Sequence, residues 1–127
     1  MRWDFPLNNG SIICVRTKVW LEFNGQRLIG EGRAKLLRHI REAKSINSAA
    51  KIMGISYRRA WALVKDMEDT FKASLVVKKR GGVGGGTATL TPAAVELLER
   101  FEKIQDEFNA LSKQLPQNQP AGEFTAC

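Results

Sequence analysis

Residues Ser45 to Thr91, SINSAAKIMGISYRRAWALVKDMEDTFKASLVVKKRGGVGGGTATLT, decide the fold of this chain. Ser45 is a capping residue type at the head of a run that reaches Met53, where Gly54 supplies a stop. Ala50 is small where two helices must cross, Gly54 lies four residues on at the turn, and Ile55 seals the turn from below. Ser56 repeats the capping device. Ala60, Leu63, Val64, Met67 and Phe71 then recur at helical spacing, which predicts a second helix with that face toward the core. At about 100° per residue, Arg58, Ala62 and Lys65 fall on the opposite side. Leu75-Val76-Val77 and Thr87-Ala88-Thr89-Leu90 are β-prone runs joined by Lys78-Lys79-Arg80 and a glycine tract, so they are expected to pair as a hairpin. A helix-turn-helix followed by a basic, glycine-tipped hairpin is a winged helix.

This pattern points to nucleic acid. Two positive charges with a small residue between them suit a helix laid in a major groove, because a bulky side chain there holds the backbone away from the bases. Arg58 is the candidate for a bidentate contact to guanine, and Arg59 lies on the flank nearer the phosphates. Tyr57 is a candidate phosphate donor, while Trp61 reads as core edge ahead of base reader. Ser45 and Asn47 at the head of the preceding helix, and Ser56 at the head of this one, complete the DNA-facing set on the helices. On the hairpin, Lys78, Lys79 and Arg80 supply charge, and Gly82, Gly84 and Gly85 let the backbone approach a phosphate or adapt to a minor groove. The plainer alternative is a loop whose glycines serve only the turn.

Charge follows the same map. Of 127 residues, 20 are Lys or Arg and 13 Asp or Glu, a formal net charge of +7. From Arg27 to Arg80 there are 14 basic and 5 acidic residues, a net +9, whereas Gly81 to Cys127 carries 3 and 6, a net −3. A positive field concentrated on the helix-turn-helix and the first wing strand is the footprint of a polyanion partner, where a surface basic only for solubility would spread its charge. The length suffices for one domain with a core and not for two.

Around that centre the chain divides into an N-terminal arm (1–11), a hairpin plus winged helix-turn-helix (12–91), a dimerisation helix (92–115) and a tail of disorder-like composition (116–127). Ile13, Val15, Val19, Leu21 and Phe23 alternate with Arg16, Lys18 and Glu22, which predicts a half-buried strand over Ile13 to Phe23 with Trp20 on its polar face. Asn24-Gly25 is a tight-turn dipeptide, and Gln26 to Ile29 should pair back. Leu36, Leu37, Ile40 and Ala43 form one stripe of a helix over Glu31 to Lys44. Thr91-Pro92 opens a last helix, on which Ala94, Leu97, Phe101, Ile104, Phe108, Leu111 and Leu115 keep an a/d spacing. About 24 residues at 1.5 Å rise make roughly 36 Å, more than a compact winged helix covers, so part of that seam is expected to meet a second copy. The dimerisation candidates are Leu97, Phe101, Ile104, Phe108 and Leu111. The fold class expected is α+β, mainly α.

Other chemistries find little footing. Gly81 and Gly86 have the separation of a phosphate loop, yet Thr87 stands where the lysine must follow and a strand is expected in place of a helix. His39 is the single histidine, no Ser or Cys has a partner base in recognisable spacing, and Glu68-Asp69 are adjacent on a helix and diverge. Neither catalysis, a cofactor nor a metal is expected. Cys14 and Cys127 are too few and too far apart for a disulfide framework or a zinc site, which points to a reducing compartment. No apolar run approaches the roughly 18 residues of a membrane span, and Ser11 to Val15 is too short for a signal-peptide core. A cytoplasmic location without membrane contact is expected.

The stretch SINSAAKIMGISYRRAW, the later GGVGGGTATLTP and the earlier GEGRAKLLRHI resemble the N-terminal DNA-binding domain of the ModE family of molybdate-responsive transcription regulators. The resemblance runs from about Leu28 to Phe108, and its most specific part is S-Y-x-x-A-W at Ser56 to Trp61 with the G-G-x-G-G-G wing. It implies a winged-helix regulator that dimerises through its first and last helices and sets its recognition helix and wing on a palindromic operator in double-stranded DNA. Full-length members carry C-terminal oxyanion-binding domains. This chain resembles the single-domain members, so no small-molecule effector is expected to bind within it, and a link to molybdenum or other oxyanion genes rests on analogy. The alternative is a winged helix used as an assembly module, with the basic face on an acidic protein.

Overall fold

The computed structural model describes residues 14–80 and 86–115. The arm 1–11, the wing-tip glycines Gly82, Gly84 and Gly85, and the tail 116–127 lie outside the described residues.

The chain opens with a hairpin, β1 (Trp20–Phe23) and β2 (Gln26–Gly30). Asn24 and Gly25 both take positive φ, +50° and +80°, which is what a two-residue turn matched to the strand twist requires. Val19, Leu21 and Phe23 are half-buried while Lys18, Trp20 and Glu22 are exposed, as the alternation predicts. The strand is shorter than expected and begins at Trp20. Trp20 pairs with Gly30, and the chain turns into a helix at Glu31, so residues 14–19 have no strand left to pair with in this hairpin. Phe23 docks against Phe71 with ring centroids 5.1 Å apart, which fixes the hairpin to the far end of the recognition helix. Cys14 takes part in a disulfide. This departs from the sequence expectation, in which the cysteine count points to a reducing compartment.

Three helices follow: α1 (Glu31–Ala43), α2 (Ile46–Met53) and α3 (Tyr57–Phe71). The Ser45 hydroxyl accepts the Ser48 amide at 3.1 Å and the Ser56 hydroxyl accepts the Arg59 amide at 3.0 Å, so each serine relieves one orphan donor of a first turn. Gly54 ends α2 at φ +69°, and the Ile55 amide reaches back to the Ala50 carbonyl at 3.0 Å, closing the turn of the helix-turn-helix. The stripe of α1 is Ala34, Leu36, Leu37 and Ile40. Ala43, expected in it, is exposed: Ile40 is the last buried residue of α1, which gives way at Lys44 to left-handed backbone.

The wing is β3 (Val76–Lys79) with β4 (Thr87–Leu90), antiparallel, in the register Val76 with Leu90 through Lys79 with Thr87. Lys78 and Lys79 therefore lie in the strand and not in the connection, and Leu75 lies before the strand, fully buried. The Ala88 amide donates to the Lys44 carbonyl at 2.9 Å, tying the wing to the end of α1. Thr91 fastens its root twice: the hydroxyl donates to the Ser74 carbonyl at 2.7 Å and accepts the Ala94 amide at 3.2 Å, capping α4 (Pro92–Gln114).

One core runs from Leu28 and Ile29 through α1, α2 and α3 to Ala94, Leu97, Leu98 and Phe101 of α4. Leu97 and Phe101, expected at a subunit seam, are buried in this core at 6% and 0% exposure. The a/d spacing could not separate the two destinations, because a helix packing on its own domain and one packing on a second copy use the same period. Ile104 is half-buried, and Phe108, Leu111 and Leu115 are exposed at 47%, 50% and 41%. Arg38 pairs with Glu102 at 3.4 Å, Arg41 with Glu99 at 3.6 Å, and Gln105 hydrogen-bonds Glu31, all between α1 and α4. Among the described residues no helix is long and apolar enough to cross a membrane.

Candidate nucleic-acid interface

With Ala60, Val64 and Met67 locked in the core, α3 turns Arg58, Arg59, Ala62 and Lys65 outward. Its first turn meets the wing. The Lys78 ammonium donates to the Tyr57 hydroxyl at 2.8 Å and lies 4.1 Å from the centre of the Trp61 ring. The Lys65 ammonium lies 4.7 Å from the same ring and 3.5 Å from a Glu68 oxygen. Lys65 is on the outer side of α3, where its charge is shared with Trp61 and Glu68.

Beside this contact a groove of about 470 Å³ is lined by Ser45, Asn47, Tyr57, Lys78, Lys79, Arg80, Gly86 and Thr87, among others. The structure thus gathers the head of α2, the head of α3 and the basic strand of the wing on one surface. The Ser45 and Ser56 hydroxyls are committed to their caps, so what they offer this surface is the rigid helix start. Arg58, Arg59, Ala62 and Lys65 are not part of the groove and stand on the exposed side of α3 next to it. Gly86 has a steric role at the groove's edge: a Cβ there would come within 2.6 Å of the Lys79 carbonyl oxygen, so only glycine lets the two wing strands close.

Three contributors escape the sequence reading. Glu68 uses one oxygen to accept the Leu75 amide at 2.8 Å and the Val76 amide at 3.3 Å, satisfying the backbone where the wing leaves the core. Trp61, read as core edge, is half-buried and holds two ammonium groups against its ring. Thr87 joins the groove from the second strand. A signal for the first exists in hindsight, since Trp61, Lys65 and Glu68 lie one turn apart on one side of α3. The segment that folds back onto them has no period to read.

Residues 33–95 match the family model described as bacterial regulatory helix-turn-helix protein, lysR family. The fold is similar to that of CbnR_DBD in a CbnR_DBD–DNA complex, with a TM-score of 0.51 and 20% identity over 65% of this chain and 90% of that one. It is also similar to ArgP from Mycobacterium tuberculosis, with a TM-score of 0.50 and 20% identity over 66% of this chain and 30% of that one. The architecture is that of a winged helix-turn-helix domain, and residues 33–95 are similar to the LysR-family model. The sequence is also similar to the N-terminal part of proteins named ModE and MopB. It is 43% identical over 70 residues to the molybdenum transport protein ModE of Herbaspirillum seropedicae, covering 55% of this chain and 26% of that protein. It is 39% identical over 92 residues to the molybdenum-pterin-binding protein MopB of Rhodobacter capsulatus (72% and 33%). It is 37% identical over 84 residues to the DNA-binding transcriptional dual regulator ModE of Escherichia coli (strain K12) (63% and 32%). The chain spans about a third or less of the length of these relatives.

Proposed function

We propose that this protein is a sequence-specific regulator of transcription that binds double-stranded DNA as a homodimer. The observation that carries the reading is the contact of Lys78 with Tyr57, because it joins the basic wing strand and the exposed start of α3 into one continuous surface. A duplex presents a repeated negative charge, and a surface that combines Lys78, Lys79 and Arg80 of the wing with the exposed Arg58 and Arg59 of a protruding helix suits the major groove with flanking phosphates. In this reading Arg58 contacts base edges, Ala62 lets the helix sit deep, Arg59 and Tyr57 reach phosphates, and Lys78, Lys79 and Arg80 follow the adjacent backbone. Names such as transcriptional dual regulator ModE among the relatives support a regulatory role and suggest target genes in molybdenum or related oxyanion handling.

Homodimerisation is supported by the exposed apolar residues Phe108 and Leu111 on α4. They lie three residues apart, so they share one face of the helix beyond the domain's own core. Two copies joined there would set their recognition helices on successive major grooves about 34–36 Å apart. Selection of duplexes from a random pool by the purified chain tests the function. An enriched motif with two-fold symmetry is expected. Retention of duplexes without enrichment, or preference for an acidic protein over DNA, would overturn it.

A further inference from the structure

We propose that Trp61 is a positioning residue for DNA binding: its indole face holds the Lys78 ammonium, and through it fixes the wing relative to the recognition helix. The inference rests on the DNA-binding reading and adds a residue that touches no DNA. Tyr57, Trp61, Lys65 and Glu68 follow one another at helical spacing along the side of α3 that meets the wing. At the far end Glu68 grips the Leu75 and Val76 amides, which anchors the wing's root. Side chains alternate along β3, so Lys78 emerges on the same face as the buried Val76 and leans toward α3. There its ammonium meets Trp61 at 4.1 Å, the Tyr57 ring at 5.5 Å and the Tyr57 hydroxyl at 2.8 Å.

The Ala88 amide already ties the second wing strand to the Lys44 carbonyl at the end of α1, and the Lys78 contact fastens the first strand to α3, so the wing is set against both helices. An ammonium has three N–H donors, and the Tyr57 hydroxyl takes one of them. The others, with the hydroxyl's own hydrogen, remain for phosphate oxygens. Trp61 thus prepays the ordering of a long lysine side chain that would otherwise be lost on binding. Lys65 on the ring's other contact keeps the indole from turning away, because it is itself held by Glu68.

The test is a double-mutant cycle on the full chain with a duplex that the parent selects from a random pool. Trp61→Leu keeps apolar bulk and removes the π face, and Lys78→Met keeps the stem and removes the charge. Each is expected to weaken binding about fivefold to thirtyfold, the range of a cation–π contact, and the double variant to bind no worse than Lys78→Met alone. Trp61→Phe should recover most of the loss. In the DNA-free parent the Lys78 ε-methylene protons should resonate upfield under the indole ring current, and this displacement should vanish in Trp61→Leu. Losses that multiply in the double variant, parent-like binding by Trp61→Leu, or unshifted Lys78 protons in the parent would each overturn the proposal. If Trp61→Leu fails to fold, Trp61→Phe and the Lys78 resonances decide alone. A parent that binds no duplex overturns the DNA-binding reading and this inference with it, which separates the two failures.

Discussion

Arg58 stands on the side of α3 opposite Ala60, Val64 and Met67, and among the described residues no ion pair or ring contact engages its guanidinium. Arg58→Ala is therefore expected to cost about 1–3 kcal/mol on a selected duplex and to relax preference at one base position, as measured by competition with single-base variants. Lys79, one residue beyond the clamped Lys78, should act on phosphate alone. Lys79→Ala is expected to weaken all duplexes alike and to reduce the salt slope of binding by about one, measured across a salt series. Gly86→Ala would set a methyl against the Lys79 carbonyl oxygen at 2.6 Å, and backbone on both sides leaves little room to yield. Hydrogen exchange should then show Lys79 and Thr87 unprotected with α1 to α3 unchanged, and DNA affinity should fall. Unaltered wing protection would show that the hairpin can open there without cost. None of this was legible from the tract itself, since its five glycines at residues 81, 82, 84, 85 and 86 look alike in sequence. Only Gly86's approach to a carbonyl across the hairpin distinguishes it.

Helices and turns were legible because their signals are local. Ser45, Ser56 and Thr91 each accept an amide three residues on, and Asn24-Gly25 takes the backbone its dipeptide prefers. Strand extent was not, because a strand needs a partner: β1 stops where β2 turns into α1, and the alternation before Trp20 has nothing opposite it in that hairpin. Lys78 and Lys79 likewise belong to β3 because Ala88 and Thr87 pair with them, a pairing that composition cannot announce. Glu68 shows the same limit for a side chain. Its carboxylate is largely covered and accepts two wing amides, so Glu68→Ala strands buried donors and should cost about 1–3 kcal/mol of stability, read by thermal or denaturant unfolding. Glu68→Gln retains an acceptor and should lose less. Equal stability of Glu68→Ala and the parent would mean that water replaces the carboxylate at the wing root.

At the scale of the molecule, α4 divides its apolar residues between two tasks. Leu97, Leu98 and Phe101 complete the domain's core, and Phe108, Leu111 and Leu115 remain outside it. Phe108→Asp with Leu111→Asp should therefore leave the domain folded and make it monomeric by sedimentation, with operator affinity much reduced because a single half-site offers half the contacts. A parent that sediments as a monomer at micromolar concentration would remove the homodimer from the account. Phe101→Asp is expected to unfold the domain, since Phe101 is fully buried. The winged helix, its basic face and its ModE-like motifs could be read from residues 28 to 108, whereas the partition of α4 needed the neighbours in space. The central claim is that this face converts base sequence into affinity. Titrating the parent with a selected duplex and with its scrambled counterpart, over a salt series, measures that directly. The selected duplex should bind on the order of 10³-fold or more tightly, both affinities should fall as salt rises, and Arg58→Ala should narrow the ratio. Equal affinity for the two duplexes at every salt concentration would contradict it.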